Sequence, residues 1–596
     1  MFPFTNFDRS RESAARTLRF FAAALLPLLA GLSAAAQVAT PSRHSAHAAA
    51  ATHTQMRGDV QRFAARAEAV LAARGAGGSW GILIADADTG GVLYENDADK
   101  YFVPASNAKL FTSALALATL GPEFRIRTTI ETRGALSPEG RLTGDLVLVG
   151  RGDANLSNRK FPYDKEAERD GPPEKALADL ADQVVARGVR EISGDVVADD
   201  TYLANERFPT GWAIDDMLWS DGAAVSAIAV NDNTFTLELR PAAREGDPAS
   251  FDAEPWAGFY TIENHIVTGA RGSVETLRVA REPGSRTIRL LGSIPLGAPP
   301  RALTIAIEEP AEYAAALLAQ LLEARGVKIF GQSRALHAEP PAEALPVRDM
   351  AVLSAEPGSP EPNAISAPNS PDAKAAPPIA APAPAAEPAP IVLAEHISPP
   401  LADDVRLLNK ISANLHAELL LRIAAREKIG ATTLEDALPF AESWRNSAGL
   451  PKNGALFTDG SGLSRQDLVT PRAVVALLEY ASRQSWGDLF RSSLPIAGED
   501  GTLSDRMKAT PADGRIQAKT GTHEHVSSLS GYATTVRGEH LVFSFLSDDH
   551  PVRTADAEAI LDAIAIAMVE ELGPAPAAAH AKSAGAAPQS MKENRR

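Results

Sequence analysis

The segment Pro104-Ala105-Ser106-Asn107-Ala108-Lys109 places a serine and a lysine three residues apart, just ahead of an apolar run that ends at Leu117. Because the run is rich in helix-forming residues and Gly121-Pro122 follows it, the sequence predicts a helix that Ser106 opens. Side chains three positions apart share a helix face, so the Lys109 amine can reach the Ser106 hydroxyl. A serine becomes nucleophilic when a neighbouring base takes its proton, and a lysine with a lowered pKa can be that base. On its own, the pair is more often an N-cap serine followed by a surface lysine.

Two further motifs appear later in the chain. Ser412-Ala413-Asn414 lies in a region with helical patterning, and Lys519-Thr520-Gly521 lies on a predicted strand with Thr522 after it. The order Ser-x-x-Lys, Ser-x-Asn, Lys-Thr-Gly resembles the signature of penicillin-binding proteins and class A β-lactamases, which act through a serine nucleophile. Each motif alone is weak, but the three together predict one active site assembled from distant segments.

The first two motifs have predicted chemical roles. Ser106 attacks a carbonyl, and Lys109 is the acylation base. Ser412 passes a proton to the leaving amine. Asn414 holds Lys109 and the substrate amide, and its structural alternative is a helix cap.

The Lys-Thr-Gly strand is predicted to bind the substrate. Lys519 adds positive charge, which lowers the pKa of its neighbours and attracts a substrate carboxylate, and Thr520 can hydrogen-bond that carboxylate. Gly521 has no side chain, so a peptide can lie against the strand as an added edge; the structural alternative at this glycine is a β-bulge. The backbone N–H groups of Ser106 and Thr522 are predicted to form the oxyanion hole.

Length and composition restrict the remaining possibilities. A chain of 596 residues is too long for one hydrophobic core, so several domains are expected. The formal net charge of −17 argues against nucleic acid as a partner. The chain has no cysteine, which excludes disulfides and thiolate metal sites. His523 and His525 share one face after the Lys-Thr-Gly strand, but the sequence offers no third ligand, so no metal and no cofactor are predicted.

The start of the chain has the pattern of a secretory signal peptide. Several arginines precede an apolar stretch, Phe20 to Leu32, that is too short to span a bilayer, and Ala34-Ala35-Ala36 offers a cleavage site. An uncleaved amphipathic membrane anchor is the alternative. No later segment of the sequence is long and apolar enough to cross a membrane. We therefore expect a periplasmic protein that is soluble or weakly membrane-associated.

The wider sequence resembles the peptidase S13 family, the D-Ala-D-Ala carboxypeptidases and endopeptidases also called class C low-molecular-mass penicillin-binding proteins. Beyond the three motifs, the resemblance rests on several segments between about Asp59 and Leu572: Gly144-Asp145-Leu146-Val147-Leu148, Gly152-Asp153, Gly194 to Asp200, Gly211-Trp212 through Val230-Asn231-Asp232-Asn233, Asp459 to Arg465, and Gly501-Thr502-Leu503. It implies an α/β (α+β) fold of the serine β-lactamase/transpeptidase type, with an antiparallel sheet flanked by helices and an all-helical part. Nested β-rich inserted domains interrupt that fold.

The resemblance also implies an activity and two more site residues. The implied reaction is cleavage of the terminal D-Ala from peptidoglycan stem peptides, with β-lactams as covalent inhibitors at Ser106. In the family, an arginine of the Asp-Gly-Ser-Gly-Leu-Ser-Arg segment and an acid of the inserted domain meet the diaminopimelyl end of the substrate, which maps onto Arg465 and Asp199. A loop salt bridge is the alternative role of Arg465. The middle of Ser-x-Asn is Ala413, where an acid or amide is more usual, and the resemblance tolerates that change.

The predicted organisation follows the changes in composition along the chain. Short strand patterns fill the stretch between the first two motifs, and a Pro/Ala-rich stretch after it is typical of an extended tether. We assign residues 1–36 to a signal peptide, 37–56 to a disordered segment, 57–124 to the first part of the transpeptidase domain, 125–335 to inserted β-rich domains, 336–400 to a disordered tether, 401–573 to the second part of the transpeptidase domain, and 574–596 to a disordered tail.

Two other functions stay open on sequence grounds. A β-lactamase or esterase could use the same three motifs, although the long insertion between Ser106 and Ser412 is unlike compact β-lactamases. A cell-wall-binding scaffold with a decayed site is the other alternative, and the intact motif residues argue against it. The sequence favours a serine-type D,D-carboxypeptidase with endopeptidase capacity.

Overall fold

The structure is a computed structural model that describes residues 57–169, 171–340 and 389–573. The predicted signal peptide, the segment 37–56 and the tail 574–596 lie outside the described residues, as does the central part of the predicted tether. The helices and strands given below belong to the unit of the chain that begins at Gly58.

A five-stranded antiparallel sheet carries the Lys-Thr-Gly motif on its edge strand. Its order, β19-β20-β21-β1-β2, joins segments from both ends of the chain: β1 (Ser79–Asp86), β2 (Val92–Asn96), β19 (Ile516–His523), β20 (Val526–Thr534) and β21 (His540–Asp548). Along β1, Ile82 and Ile84 belong to one core and Leu83 and Ala85 to another, and all four are buried. Because side chains alternate along a strand, the sheet is covered on both faces.

Helices supply the two covering layers. On one face, α1 (Gly58–Arg74) and α10 (Thr554–Glu571) share a core with the sheet. The other face carries a helical part: α2 (Ala108–Thr119), α5 (Leu401–Ile411), α6 (Asn414–Ile429), α7 (Leu434–Ser447), the short pair β17 (Ala455–Leu456) and β18 (Leu468–Val469), α8 (Pro471–Ser482) and α9 (Gly487–Ser493). Among the described residues, no helix combines the length and apolar character needed to cross a bilayer.

The helix that follows Ser106 lies at the centre of the helical part. Every residue of α2 from Ala108 to Leu117 is buried. Leu110 and Leu117 contact the core shared with the sheet, and Leu115 contacts a separate cluster formed with α6 and α7. A helix that is apolar all round is stable only when protein surrounds it. The helix that follows Ser106 and carries Lys109 is therefore held on all sides.

The chain between α2 and α5, here called the inserted part, is mostly β-structure. Its largest sheet has the order β15-β7-β5-β3-β16: β3 (Arg127–Thr132), β5 (Leu146–Val149), β7 (Val196–Ala204), β15 (Ser333–Ala338) and β16 (Ile391–Ile397). Three smaller sheets contain β4 (Arg141–Leu142), β6 (Glu191–Ile192) and β14 (Lys328–Ile329); β8 (Thr234–Arg240), β9 (Ser250–Glu254) and β13 (Arg301–Ala306); and β10 (Thr261–Gly269), β11 (Arg278–Ala280) and β12 (Thr287–Pro295). With α3 (Lys175–Ala186) and α4 (Pro310–Glu323), these sheets enclose a hydrophobic core of their own.

Strands occupy both ends of the predicted tether, residues 336–400. β15 continues to Ala338, and β16 pairs antiparallel with β3. Leu393 and Ala394 of β16 are buried in the core of the inserted part. Cross-strand pairing and burial stabilise a strand whose pattern is hidden by the surrounding Pro/Ala composition. The tether prediction is therefore wrong over these strands, and residues 341–388 lie outside the described part.

Candidate active site

Ser106 lies in a tight turn that is tied to the edge of the five-stranded sheet. It precedes α2 in a 3-10 turn rather than opening the helix, and Ala105 before it has a φ of 46°, where most side chains are strained. The Asn107 side chain donates from Nδ2 to Ser528 Oγ at 2.6 Å. Ser528 Oγ in turn donates to Pro104 O at 2.9 Å. These two hydrogen bonds fix the turn against β20.

The Lys109 amine connects the first two motifs. Its side chain is fully buried, and Nζ lies 2.8 Å from Ser106 Oγ, 2.5 Å from Asn414 Oδ1 and 2.6 Å from Ser461 O. Asn414 is also held by the inserted part, because its Nδ2 donates to Asp221 O at 2.8 Å. Asn414, which is 305 residues from Lys109 along the chain, thus contributes directly to the environment of the Lys109 amine.

Burial lowers the pKa of Lys109 to about 8. The charges of four surrounding acids oppose this shift: Asp459, Glu418, Asp221 and Asp467. Burial also raises the pKa of Glu418 to about 7, so this acid itself titrates near neutral pH. An amine with a pKa near 8 is neutral in a substantial fraction of molecules at physiological pH, which allows it to act as a base.

The Ser-x-Asn motif is split between two helices. Ser412 ends α5 in the left-handed conformation, with φ 63° and ψ 37°, and Asn414 begins α6. The prediction of an uninterrupted helical region is therefore wrong at this serine. The break allows the two polar side chains to reach different amines, because Ser412 Oγ accepts from Lys519 Nζ at 2.9 Å while Asn414 accepts from Lys109.

Lys519 is the second buried amine of the site. Its Nζ donates to Ser412 Oγ and, at 2.8 Å, to Thr520 O. Burial lowers the pKa of Lys519 well below its usual range, and the charge of Lys109 lowers it further.

The open edge of β19 offers backbone donors. Ala518 N donates to Pro495 O on the side of β19 that faces away from β20. Backbone N–H groups alternate between the two edges of a strand, so those of Thr520 and Thr522 point to the same open edge. The edge can therefore accept an extended peptide as a further strand.

Gly521 allows β19 to approach the turn that contains Ser106 closely. A Cβ at this position would lie 2.9 Å from Ser106 N and 2.2 Å from Ser528 Oγ. The register of β19 with β20 is unbroken through Gly521, so the residue is not a bulge. On the other face of the strand, the hydroxyls of Thr520 and Thr502 lie 2.7 Å apart.

The structure does not bring Arg465 and Asp199 together in any contact among the described residues. Arg465 Nη2 donates to Glu524 O at 2.8 Å, in the turn after β19. Asp199 Oδ1 accepts from the backbone N–H and the hydroxyl of Thr201, at 3.0 and 2.7 Å, on its own strand. Burial raises the pKa of the Asp216 carboxyl, and the charge of Arg465 is among the effects that oppose this rise.

His523 and His525 make separate backbone contacts instead of converging. His523 Nε2 lies 2.9 Å from Gly462 O, and His525 Nδ1 lies 3.0 Å from His550 O. Over residues 57–169, 171–340 and 389–573, no group of three or more His, Cys, Asp or Glu side chains has the arrangement of a metal site.

Several contributors to the site carry no signal of their own in the sequence. The Ser461 and Asp221 groups that contact the motif residues are backbone carbonyls, which any residue type supplies. Only the family resemblance indicates the segments that supply them. Asp459 to Arg465 contains Ser461, the stretch from Gly211 to Asn233 contains Asp221, and Gly501-Thr502-Leu503 contains the Thr502 hydroxyl.

Comparison with known proteins identifies related sequences. The model of the D-Ala-D-Ala carboxypeptidase 3 (S13) family matches residues 64–354 and 381–570. A D-alanyl-D-alanine carboxypeptidase of Actinomadura sp. (strain R39) is 33% identical over 504 residues, which cover 83% of this chain and 81% of that protein. D-alanyl-D-alanine carboxypeptidase DacB of Haemophilus influenzae is 23% identical over 483 residues, which cover 78% of this chain and 85% of that protein.

Solved structures establish the fold. The crystal structure of penicillin binding protein 4 (dacB) from Haemophilus influenzae matches with a TM-score of 0.65 and 21% sequence identity, and the match covers 84% of this chain and 97% of that chain. A complex of the same protein with a β-lactam matches with a TM-score of 0.61 and 20% identity, covering 84% and 98% of the two chains. The predicted serine β-lactamase/transpeptidase-like fold is confirmed.

Proposed function

The chain belongs to the D-Ala-D-Ala carboxypeptidase 3 (S13) family, and we propose that it is a serine-type D-Ala-D-Ala carboxypeptidase that also has D,D-endopeptidase activity. Its substrates are peptidoglycan stem peptides, and β-lactams acylate the same serine. One observation carries the proposal: the hydroxyl of Ser106 lies 2.8 Å from the Lys109 amine, and Ser412, two residues before the Asn414 that accepts from Lys109, lies 2.9 Å from the Lys519 amine. This is the arrangement that activates a serine and then protonates a leaving amine.

Acylation begins with the neutral form of Lys109. The neutral amine has two hydrogens and one lone pair, and the Asn414 and Ser461 oxygens can only accept hydrogen bonds. When the two hydrogens point to those oxygens, the lone pair faces Ser106 Oγ. Lys109 takes the hydroxyl proton while Ser106 Oγ bonds to the carbonyl carbon of the penultimate D-Ala. The backbone N–H groups of Ser106 and Thr522 hold the oxyanion.

The tetrahedral intermediate collapses when its C–N bond breaks. The Ser412 hydroxyl donates its proton to the departing D-Ala nitrogen and is reprotonated through the ammonium groups beside it, of which Lys519 is hydrogen-bonded to it. A water molecule then attacks the ester carbonyl, Ser106 leaves with a proton, and the shortened peptide is released. The same sequence cleaves a D-Ala-diaminopimelate cross-link when the leaving amine belongs to a second stem peptide.

The substrate is held along β19. Its backbone adds to the open edge of the strand, where the Thr520 and Thr522 N–H groups point. The terminal carboxylate meets Lys519 and the hydroxyl pair of Thr520 and Thr502. Arg465 and Asp199 are the residues that the family resemblance assigns to the diaminopimelyl end of the peptide.

The test is release of D-Ala from a defined substrate. The purified full-length protein is incubated with L-Ala-γ-D-Glu-meso-diaminopimelyl-D-Ala-D-Ala, and the products are measured by mass spectrometry. The proposal predicts loss of one D-Ala by the wild type and none by Ser106→Ala. A cross-linked muropeptide dimer tests the endopeptidase activity in the same assay. Intact pentapeptide after incubation with folded wild type would refute the carboxypeptidase assignment, and rapid catalytic turnover of penicillin would favour a β-lactamase.

We place this activity in the periplasm. The support is the signal-peptide pattern of residues 1–36 and the predicted action on peptidoglycan, a substrate found outside the cytoplasmic membrane. Mass measurement of the N-terminus of the exported protein is the direct check, with cleavage after Ala36 as the expected result.

A further inference from the structure

The loop that follows β17 is organised around one buried carboxylate. Asp459 is 2% exposed. Its Oδ1 accepts from the backbone N–H of Gly462 at 2.6 Å and of Ser461 at 3.1 Å. Its Oδ2 accepts from Ser464 N at 2.8 Å and from Trp212 Nε1 at 2.9 Å. Residues 459–464 are called the carboxylate loop below.

The carboxylate loop contacts the nucleophile segment at several points. Ser461 O is the third acceptor of Lys109 Nζ, and Gly460 O accepts from Thr112 Oγ1 at 2.6 Å. Gly462, with φ 77°, packs so closely that a Cβ would lie 1.9 Å from Ala105 O. The position of this loop therefore determines where the backbone acceptor of the catalytic amine lies.

Trp212 links the inserted part to the carboxylate loop. Its side chain is 8% exposed and belongs to a core cluster with Leu415 and Leu419 of α6 and Leu463 of the loop. The indole N–H is thus fixed by packing on two sides while it donates to Asp459. An apolar ring in this place would fill the same core without supplying the hydrogen bond.

From these contacts we propose that Trp212 and Asp459 are positioning residues for Ser106 acylation. Trp212 orients the Asp459 carboxylate, and the carboxylate holds the Ser461 carbonyl on the Lys109 amine. With Ser461 and Asn414 each engaging one hydrogen of the neutral amine, its lone pair is directed at Ser106 Oγ. The inference rests on the proposed acyl-enzyme function and adds that the inserted part controls the geometry of the base.

Asp459 also acts through its charge. Groups of several elements surround Lys109 and contribute to its titration: Glu418 on α6, Asp459 and Asp467 beside β17 and β18, Asp221 of the inserted part, and Lys519 and His523 on β19. The Asp459 charge raises the pKa of Lys109 against the larger effect of burial. Removal of that charge favours the neutral amine directly, and it also favours ionisation of Glu418 and Asp467, whose charges act in the opposite direction.

Two variants separate geometry from charge. Trp212→Phe removes the hydrogen bond and keeps the Asp459 charge, whereas Asp459→Asn removes the charge and replaces an acceptor by a donor. The second-order rate constant of acylation by a fluorescent penicillin is measured across pH, with thermal unfolding of each protein. Trp256→Phe is the matched control, because it makes the same substitution in the separate core of the inserted part.

The two variants have distinct expected profiles. The acylation rate constant is expected to rise with pH along an acidic limb and to level off at an alkaline plateau. Trp212→Phe lowers the plateau about tenfold, the effect of one charge-assisted hydrogen bond, and leaves the midpoint of the acidic limb at its wild-type pH. Asp459→Asn lowers the plateau at least as far and moves the acidic limb to lower pH, because the loss of the Asp459 charge favours the neutral amine. Trp256→Phe leaves both features of the profile unchanged. A loop with a purely structural role would not move the limb.

The outcomes also distinguish this inference from the proposed function. Wild type that forms no adduct overturns the proposed function and this inference with it. Wild type that is acylated, beside folded variants with an unaltered rate and profile, overturns this inference alone. If Trp212→Phe does not fold, Asp459→Asn alone tests the inference. An acidic limb at the wild-type pH in that variant would contradict the proposed effect of Asp459 on Lys109.

Discussion

The rate of acylation should fall as the pH is lowered through the pKa of Lys109. Burial sets that pKa at about 8, and only the neutral amine can accept the Ser106 proton. The neutral fraction is about one half at pH 8, about one tenth at pH 7 and about one hundredth at pH 6. The second-order rate constant for acylation by a penicillin is therefore expected to be about 100-fold lower at pH 6 than on its alkaline plateau.

The assay follows adduct formation with a fluorescent penicillin between about pH 5.5 and pH 10, under conditions where the rate is proportional to penicillin concentration. Thermal unfolding is recorded at each pH, so that loss of structure is separated from loss of the base. Lys109→Arg is the matched variant: it keeps the positive charge but stays protonated over the whole range. It should give no adduct at any pH.

Two results would refute the reasoning. A rate constant that changes less than about threefold between pH 6 and pH 8 in folded enzyme would mean that another group is the base in the free enzyme. Acylation of Lys109→Arg within about tenfold of the wild-type rate would lead to the same conclusion by a separate route.

Three further predictions concern the surroundings of the nucleophile. Ser412→Ala should lower kcat for D-Ala release about 100-fold, the usual contribution of a general acid, with the melting temperature unchanged; a kcat within threefold of wild type would exclude this proton route. Gly521→Ala should lower the acylation rate about tenfold or more, because its Cβ would lie 2.9 Å from the nucleophile's backbone nitrogen, and an unchanged rate would show that β19 yields easily. Burial alone would lower the pKa of His416, but Asp404 and Asp232 raise it to about 9. Its stabilising contribution is thus complete below the unfolded-state pKa and is lost as the pH rises through 9, which urea midpoints should show for wild type and not for His416→Gln.

The three motifs predicted that their polar side chains come together, and the structure places Ser106 and Asn414 on Lys109 and Ser412 on Lys519. Few functions other than serine-based acyl transfer are compatible with Ser-x-x-Lys, Ser-x-Asn and Lys-Thr-Gly in this order. The apolar run after Ser106 predicts a helix, and α2 forms there, although it begins at Ala108 and not at Ser106.

The differences from prediction arise where tertiary contacts decide the structure. Ser412 has a left-handed conformation that its helical surroundings do not indicate, because Lys519 on a distant strand binds its hydroxyl. β16 forms within a Pro/Ala-rich stretch because β3 pairs with it and the inserted core buries Leu393.

Identification of the residue that a β-lactam acylates is the most direct test of the claim that Ser106 is the nucleophile. Tryptic cleavage after Lys100 and Lys109 yields a nine-residue peptide in which Ser106 is the one serine and no threonine occurs. After incubation with benzylpenicillin, the wild type should show the mass of one penicillin on that peptide, and Ser113→Ala should show the same adduct. Ser106→Ala should show none. An adduct on any other peptide, or no adduct on folded wild type, would contradict the account.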